Sequence, residues 1–149
     1  IVADQMSKAA ILALLPEGGG RAVTGFFSLV LTYNTGAAFS FLATASGWQR
    51  SLLAGIAIVA TIVIIVLLRR GGSALYCTGL TLILGGALGN LYDRLALGKV
   101  VDFLLLHYAG WAYPAFNVAD SAITVGAALV ILDSFRRQRN DAAGAPGGS

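Results

Sequence analysis

Histidine and cysteine occur once each, proline three times, and only 11% of the 149 residues are charged. Each scarcity excludes something. One His and one Cys cannot supply the ligands of a zinc site or the thiolates of an iron–sulfur cluster, so no metal and no other cofactor is expected. Cys77 has no partner for a disulfide. The net charge of +3 is small and scattered, without the concentrated basic face that nucleic-acid binding needs. There is no Gly-x-Ser-x-Gly elbow, no suggestively spaced Ser–His pair, no Gly-rich loop followed by Lys and no His-Glu-x-x-His. With those chemistries set aside, the remaining catalytic equipment is carboxylate.

What is abundant is apolar. Hydrophobic residues make up 57% of the chain, with 19 glycines, the profile of a small helical membrane protein of one domain. Ser51 to Leu68 is uncharged, rich in Ile, Val and Leu, and flanked by Arg50 and Arg69-Arg70. About 20 apolar residues cross a bilayer core, so this run is a span. Ser73 to Tyr92 is expected as the next, with Gly79, Gly85, Gly86 and Gly89 allowing close helix approach. Ala115 to Phe135 is expected as the last, closed by Arg136, Arg137 and Arg139. Asp4 to Leu15 has helical composition, and Ile1-Val-Ala3 reads as the end of an apolar segment that begins upstream. Ala22 to Gln49 is uncharged but interrupted by Thr, Asn, Ser and Gly, and Phe26 to Tyr33 is rich in β-formers. Short strands and turns at the membrane interface are expected there. Tyr108, Trp111 and Tyr113 read as interfacial aromatics, Trp48 as a belt residue, and His107 as packed or snorkelling at the interface. Arginine clusters abut one end of the spans, which the positive-inside rule makes cytoplasmic. Lys8, Arg21, Arg50, Arg94 and Lys99 fall on the other side.

Against this background Asp102 and Asp120 stand out, each within sequence that otherwise reads as membrane interior. A carboxylate at membrane depth costs several kcal/mol unless paired, hydrated or protonated. Two of them suggest a site where they meet, and two carboxylates sharing a proton can activate water, as in aspartic peptidases. Asn117, Asp120 and Thr124 form a polar stripe that should face the bundle interior; helix–helix hydrogen bonding is the competing explanation. Gly86, Asn90 and Asp93 share another face, with Arg94 beside them. An Arg–Asp pair there fits either a structural helix end or the support of a catalytic carboxylate. Asn34, in Asn-Thr-Gly, reads by itself as a turn.

Five segments in order resemble one family: Asp4-Gln-Met-Ser-Lys8, Tyr33-Asn-Thr-Gly-Ala-Ala-Phe-Ser40, Gly85-Gly-Ala-Leu-Gly-Asn-Leu-Tyr-Asp-Arg94, Val100-Val-Asp-Phe103 and Phe116-Asn-Val-Ala-Asp-Ser-Ala-Ile-Thr-Val-Gly126. Together they are similar to lipoprotein signal peptidase, also called signal peptidase II, over nearly the whole chain. The resemblance implies a mainly α, polytopic membrane protein. Its four-helix transmembrane bundle would have the first span represented only by a stub. A small extracytoplasmic β-cradle would cover Phe26 to Leu42, and an interfacial helix and loop Leu104 to Tyr113. It implies one peptidase domain over 1–139, with a flexible tail over 140–149. By motif, Asp102 and Asp120 resemble the family's catalytic pair. Asn34, Gly36, Asn90, Asp93, Arg94 and Asn117 resemble its supporting and substrate-binding residues. The implied substrate is a diacylglyceryl-modified prolipoprotein, cut just before the lipidated Cys. The implied setting is the bacterial inner membrane, with the site near the outer face, membrane lipids as partners, a monomeric state and inhibition by globomycin-type cyclic peptides. Two other classes fit the residues alone: a small proton-coupled transporter relaying through Asp93 and Asp120, and a membrane assembly protein whose Asp residues pair helices. No inverted repeat supports the first.

Overall fold

The computed structural model describes residues 1–35 and 48–144. Gly36, with the remainder of the expected cradle to Leu42, lies outside the described residues. Four helices and four strands follow in the order α1 (Val2–Leu14), β1 (Gly20–Ala22), β2 (Phe27–Asn34), α2 (Trp48–Arg70), α3 (Ala74–Ala96), β3 (Val100–Tyr108), β4 (Trp111–Ala112) and α4 (Val118–Gly144).

Among the described residues, three helical stretches are long and apolar enough to cross a membrane: Ser51–Arg70, Ala74–Ala96 and Val118–Asp141. They match the three expected spans. Ser73 starts α3 as its N-cap, its hydroxyl accepting from the Tyr76 amide at 3.1 Å. Such a bond satisfies a donor that the first helical turn leaves unpaired. α3 and α4 pack through glycine. A methyl group on Gly79 would come within 2.7 Å of the Gly126 carbonyl, so these backbones approach as only small residues permit. α2 leaves most of its side chains exposed, with Ala54 and Ile64 buried. Helix α4 carries on past position 139 to Gly144.

α1 is turned the other way round. Its buried residues are Asp4, Lys8 and Ile11, spaced i, i+4, i+7 on one face. Its apolar Val2, Met6 and Leu14 are about 70% exposed (71%, 69% and 72%). A helix with charge inside and hydrocarbon outside belongs in a bilayer, packed against a polar site.

The strands form one antiparallel sheet in the order β1-β2-β3-β4. Ile11, Leu31, Val101 and Phe103 make a small buried core that fixes this sheet to α1. Leu104 to Tyr113, expected as an interfacial helix and loop, is instead the end of β3, a tight turn and β4. The turn places both Ala109 and Gly110 at positive φ (48° and 83°), the requirement of a two-residue hairpin loop whose twist matches the strands. The β-cradle expectation therefore holds for Phe27 to Asn34, with the 100–112 segment completing the sheet. Tyr108 and Trp111 stand exposed at the hairpin end (76% and 63%), consistent with interfacial aromatics. His107 has a specific partner in the hydroxyl of Ser28, 2.8 Å from its Nε2.

Candidate active site

Two local structures carry Asp102 and Asp120. Both lie in sequence that reads as membrane interior, but only Asp120 is on a span-capable helix, at its start. Asp102 lies on β3, paired in register with Thr32 of β2. Because alternate strand residues face opposite ways, Val101 and Phe103 enter the core while Asp102 faces the side that also receives Asn34, opposite Val100. Asp120 lies in the first turn of α4, which begins at Val118 and not at Ala115 where the last span was expected to start. Asn117 and Asp120 cap that helix reciprocally. The Asp120 amide donates to Asn117 Oδ1 at 2.9 Å, and the Asn117 amide to Asp120 Oδ2 at 3.3 Å. This is the capping-box geometry, with Asn and Asp in place of the usual Ser or Thr and Glu.

The helix start is pinned to the strand. Phe116 exchanges backbone hydrogen bonds with Leu104 at 2.8 and 3.0 Å, which sets Asn117 beside Asp102. Its side-chain Nδ2 donates to Asp102 Oδ1 at 2.7 Å. One fully buried Asn thus donates to both carboxylates, to Asp102 by its side-chain NH2 and to Asp120 by its backbone N–H, while its amide oxygen accepts from the Asp120 backbone amide. Asn90 on α3 donates to Asp120 Oδ1 at 2.7 Å, and its own oxygen accepts from Asn117 at 3.1 Å. Asn34 hydrogen-bonds Asp102 from β2. Arg94 donates to the Asn90 carbonyl at 3.2 Å, and its charge acts on Asp120, Asp102 and Asp93.

Asp93 is a different case. It is 1% exposed and fully engaged behind the pair. It accepts from Gln5 at 2.9 Å and from the Val101 amide at 3.1 Å, and pairs with Lys8 at 2.9 Å. It ties the entrance of β3 to α1 and α3 and does not reach the other two carboxylates by a hydrogen bond. Asp4 also pairs with Lys8, at 2.8 Å, and accepts from the Ala119 amide at 2.9 Å. Lys8 and Gln5 carry much of the support of this site. The sequence offered a signal for them in Asp-x-x-x-Lys, an i, i+4 ion pair within a membrane-like helix, where unpaired charge is costly.

Burial first, and the charge of Asp120 second, push the Asp102 carboxyl from its ordinary 3.8 up to about 6; donors from Asn117 and Asn34, then Lys8, oppose the rise. A carboxylic acid that keeps its proton near neutral pH, beside a second carboxylate, can donate while its neighbour accepts. Grooves flank the pair. One of about 380 Å³ runs along the start of α4 between Leu106, Tyr113, Phe116, Asp120 and Val125. The other, about 350 Å³, lies between Tyr33, Asn34, Asp102 and Pro114. Among the described residues no cluster of His, Cys, Asp and Glu is arranged to hold a metal.

The chain is similar to known proteins over most of its length. A family model described as signal peptidase (SPase) II matches residues 1–136. Lipoprotein signal peptidase of Paraburkholderia phytofirmans is 56% identical over 140 residues, covering 93% of this chain and 81% of the relative. The protein of the same name from Burkholderia ambifaria is 59% identical, covering 93% and 84%. Two solved bacterial membrane enzymes share the fold with a TM-score of 0.79 each. One is 26% identical, covering 99% of this chain and 87% of its own; the other is 30% identical, covering 88% and 84%. With three helices among the described residues long and apolar enough to cross a membrane, this chain is a membrane-embedded peptidase and belongs to the signal peptidase II family.

Proposed function

We propose that Asp102 and Asp120 are a catalytic dyad that cleaves the signal peptide from diacylglyceryl-modified prolipoproteins, immediately before the lipidated Cys. The observation that carries this reading is Asn117, whose one side chain and backbone bind both carboxylates. The scissile carbonyl would lie between the two grooves, its position fixed by lipid anchors that stay in the bilayer. Asp102 holds the proton. Asp120 takes a proton from a water molecule whose oxygen attacks the carbonyl carbon. Asp102 gives its proton to the carbonyl oxygen. The tetrahedral intermediate then collapses: one of its hydroxyls returns a proton to Asp102 as the carbonyl re-forms, the C–N bond breaks, and the leaving nitrogen takes the proton held by Asp120. No covalent enzyme intermediate and no metal enter the scheme. Asn34, Asn90 and Asn117 orient the pair, Arg94 steadies Asn90 through its carbonyl, and Asp93 supports β3 from behind. Gly36 is proposed as a substrate-binding or supporting residue from the motif alone.

The arginine-bearing ends of α2 and α4 lie at the opposite end of the spans from the dyad, since Asp120 opens α4 while Arg136, Arg137 and Arg139 follow its apolar stretch. Cytoplasmic arginines would put the dyad at the outer face of the bacterial inner membrane. A globomycin-type cyclic peptide would compete for the grooves. The protein would act as a monomer, with one peptidase domain over 1–139.

Mass spectrometry of a diacylglyceryl-modified prolipoprotein peptide, incubated with the purified protein, tests the reading. Cleavage before the lipidated Cys is expected, abolished in both Asp102→Asn and Asp120→Asn and blocked by globomycin. Cleavage that survives either substitution would remove the dyad.

A further inference from the structure

Lys8 has no place in that scheme, yet it is 2% exposed and all three of its ammonium hydrogens are committed. They point to Asp4 Oδ2 at 2.8 Å, Asp93 Oδ2 at 2.9 Å and Asn90 Oδ1 at 3.1 Å. The third contact differs in kind from the first two. The Asn90 amide has an acceptor end and a donor end. Its oxygen faces Lys8 and its Nδ2 donates to Asp120 at 2.7 Å. Turned over, the amide would aim its NH2 at an ammonium and its oxygen at a carboxylate, both repulsive. The same oxygen accepts from Asn117, so a turned amide would also disturb the residue that holds Asp102.

Resting on the dyad reading, we propose that Lys8 is a positioning residue: its ammonium fixes the orientation of the Asn90 amide, and through Asn90 and Asn117 the separation and alignment of Asp102 and Asp120. Asp4 and Asp93 are what hold Lys8 in place for this task. Each is itself anchored to backbone, Asp4 by the Ala119 amide beside Asp120 and Asp93 by the Val101 amide beside Asp102. The ion-paired cluster on α1 is therefore connected to the two residues flanking the dyad as well as to its orienting amides. The competing explanation is that Lys8 only neutralises two buried carboxylates and fastens α1 to the bundle.

A double-mutant cycle on the purified protein with the lipidated peptide separates the two. Lys8→Met, Asn90→Ala and the double variant are compared for kcat and KM. Misalignment of this kind lowers kcat by about tenfold to a hundredfold, with KM within about twofold because binding in the grooves is untouched. The loss on Lys8→Met is expected to vanish in the Asn90→Ala background, since Lys8 acts through Asn90. Losses that multiply in the double variant, or a Lys8→Met protein with normal kcat, overturn the proposal. Removing Lys8 alone leaves two buried carboxylates unpaired, which is destabilising. A triple variant, Lys8→Met with Asp4→Asn and Asp93→Asn, relieves that. It should fold and show the same loss of kcat; a folded triple variant with full kcat also overturns the proposal. Failure of the dyad reading itself has another signature, either no cleavage by the unsubstituted protein or cleavage indifferent to Asp102→Asn.

Discussion

Both ends of the α3–α4 pair hold a buried carboxylate, and they treat it differently. At the arginine end, Asp133 accepts from the Ser73 hydroxyl and pairs with Arg137 at 2.7 Å. The cation meets the charge directly, with the Arg137 side chain 53% exposed and thus in contact with the surroundings. At the other end, where Asp102 and Asp120 lie, Arg94 donates to the Asn90 carbonyl and reaches the pair through its charge. Lys8 binds Asp4 and Asp93, while the hydrogen bonds received by Asp102 and Asp120 come from amides of Asn34, Asn90 and Asn117. A carboxylate neutralised by a cation is a structural staple. A carboxylate hydrogen-bonded by neutral amides, next to another carboxylate, keeps chemistry available, because its proton is held nearer working pH. The distance between cation and acid separates the two outcomes.

The sharpest break of that comparison is Asn117→Ala. It removes the side-chain donor to Asp102, the acceptor for the Asp120 amide and the donor to Asn90 in one step. Turnover is expected to fall by at least about a hundredfold, and the start of α4 to weaken by about 1 kcal/mol as a lost cap. Near-normal turnover of the lipidated peptide would take Asn117 out of the site. Loss of both activity and folding in equal measure would make it a cap alone.

Asp102→Asn tests the same contrast in stability. A carboxyl whose folded value is raised binds its proton more tightly in the folded chain. Its favourable share of stability is then complete below about 3.8 and is lost as pH rises through about 6. Asn is uncharged throughout and escapes that loss. The variant should match the parent near pH 4 and exceed it at pH 8 by on the order of 2–3 kcal/mol. Thermal unfolding in detergent across that range is the measurement. A variant less stable than its parent at pH 8 would mean that Asp102 is held as a satisfied anion, like Asp133.

The three spans were legible because length and hydropathy decide them, and neither depends on partners. The motifs singled out Asp102, Asp120 and the three asparagines that the structure brings beside them, but not their secondary structure. Val100 to Leu106 is a short apolar run bounded by Gly98, and a buried strand and a buried helix segment look alike at that length. The Ala109-Gly110 turn that decides it has no strong sequence signal, since Ala at positive φ is unusual. The last span starts at Val118 and not at Ala115, because Asn117 and Asp120, two members of the polar stripe, form a capping box that begins the helix. The inward face of α1 was visible as Asp4 and Lys8, but what they meet lies more than 80 residues away (the Lys8–Asn90 separation is 82). No local pattern reports such a contact.

The smallest expected effect lies at the arginine end. Arg137→Met keeps an apolar stem near Tyr76, whose ring the guanidinium now overlies at 5.4 Å, and leaves the Ser73 hydroxyl on Asp133. Half-exposed ion pairs contribute about 0–1 kcal/mol and weaken with salt. The melting temperature should therefore drop slightly at low ionic strength and converge with the parent at high salt, while cleavage of the lipidated peptide stays unchanged. The two ends share helices α3 and α4, whose glycine contacts allow little slack, so this variant also asks whether strain travels between them. Normal kcat with a small salt-sensitive loss of stability would keep the staple and the dyad independent. A parallel fall in kcat would show that the arginine end helps to set the spacing of the carboxylates at the other end of the same helix pair.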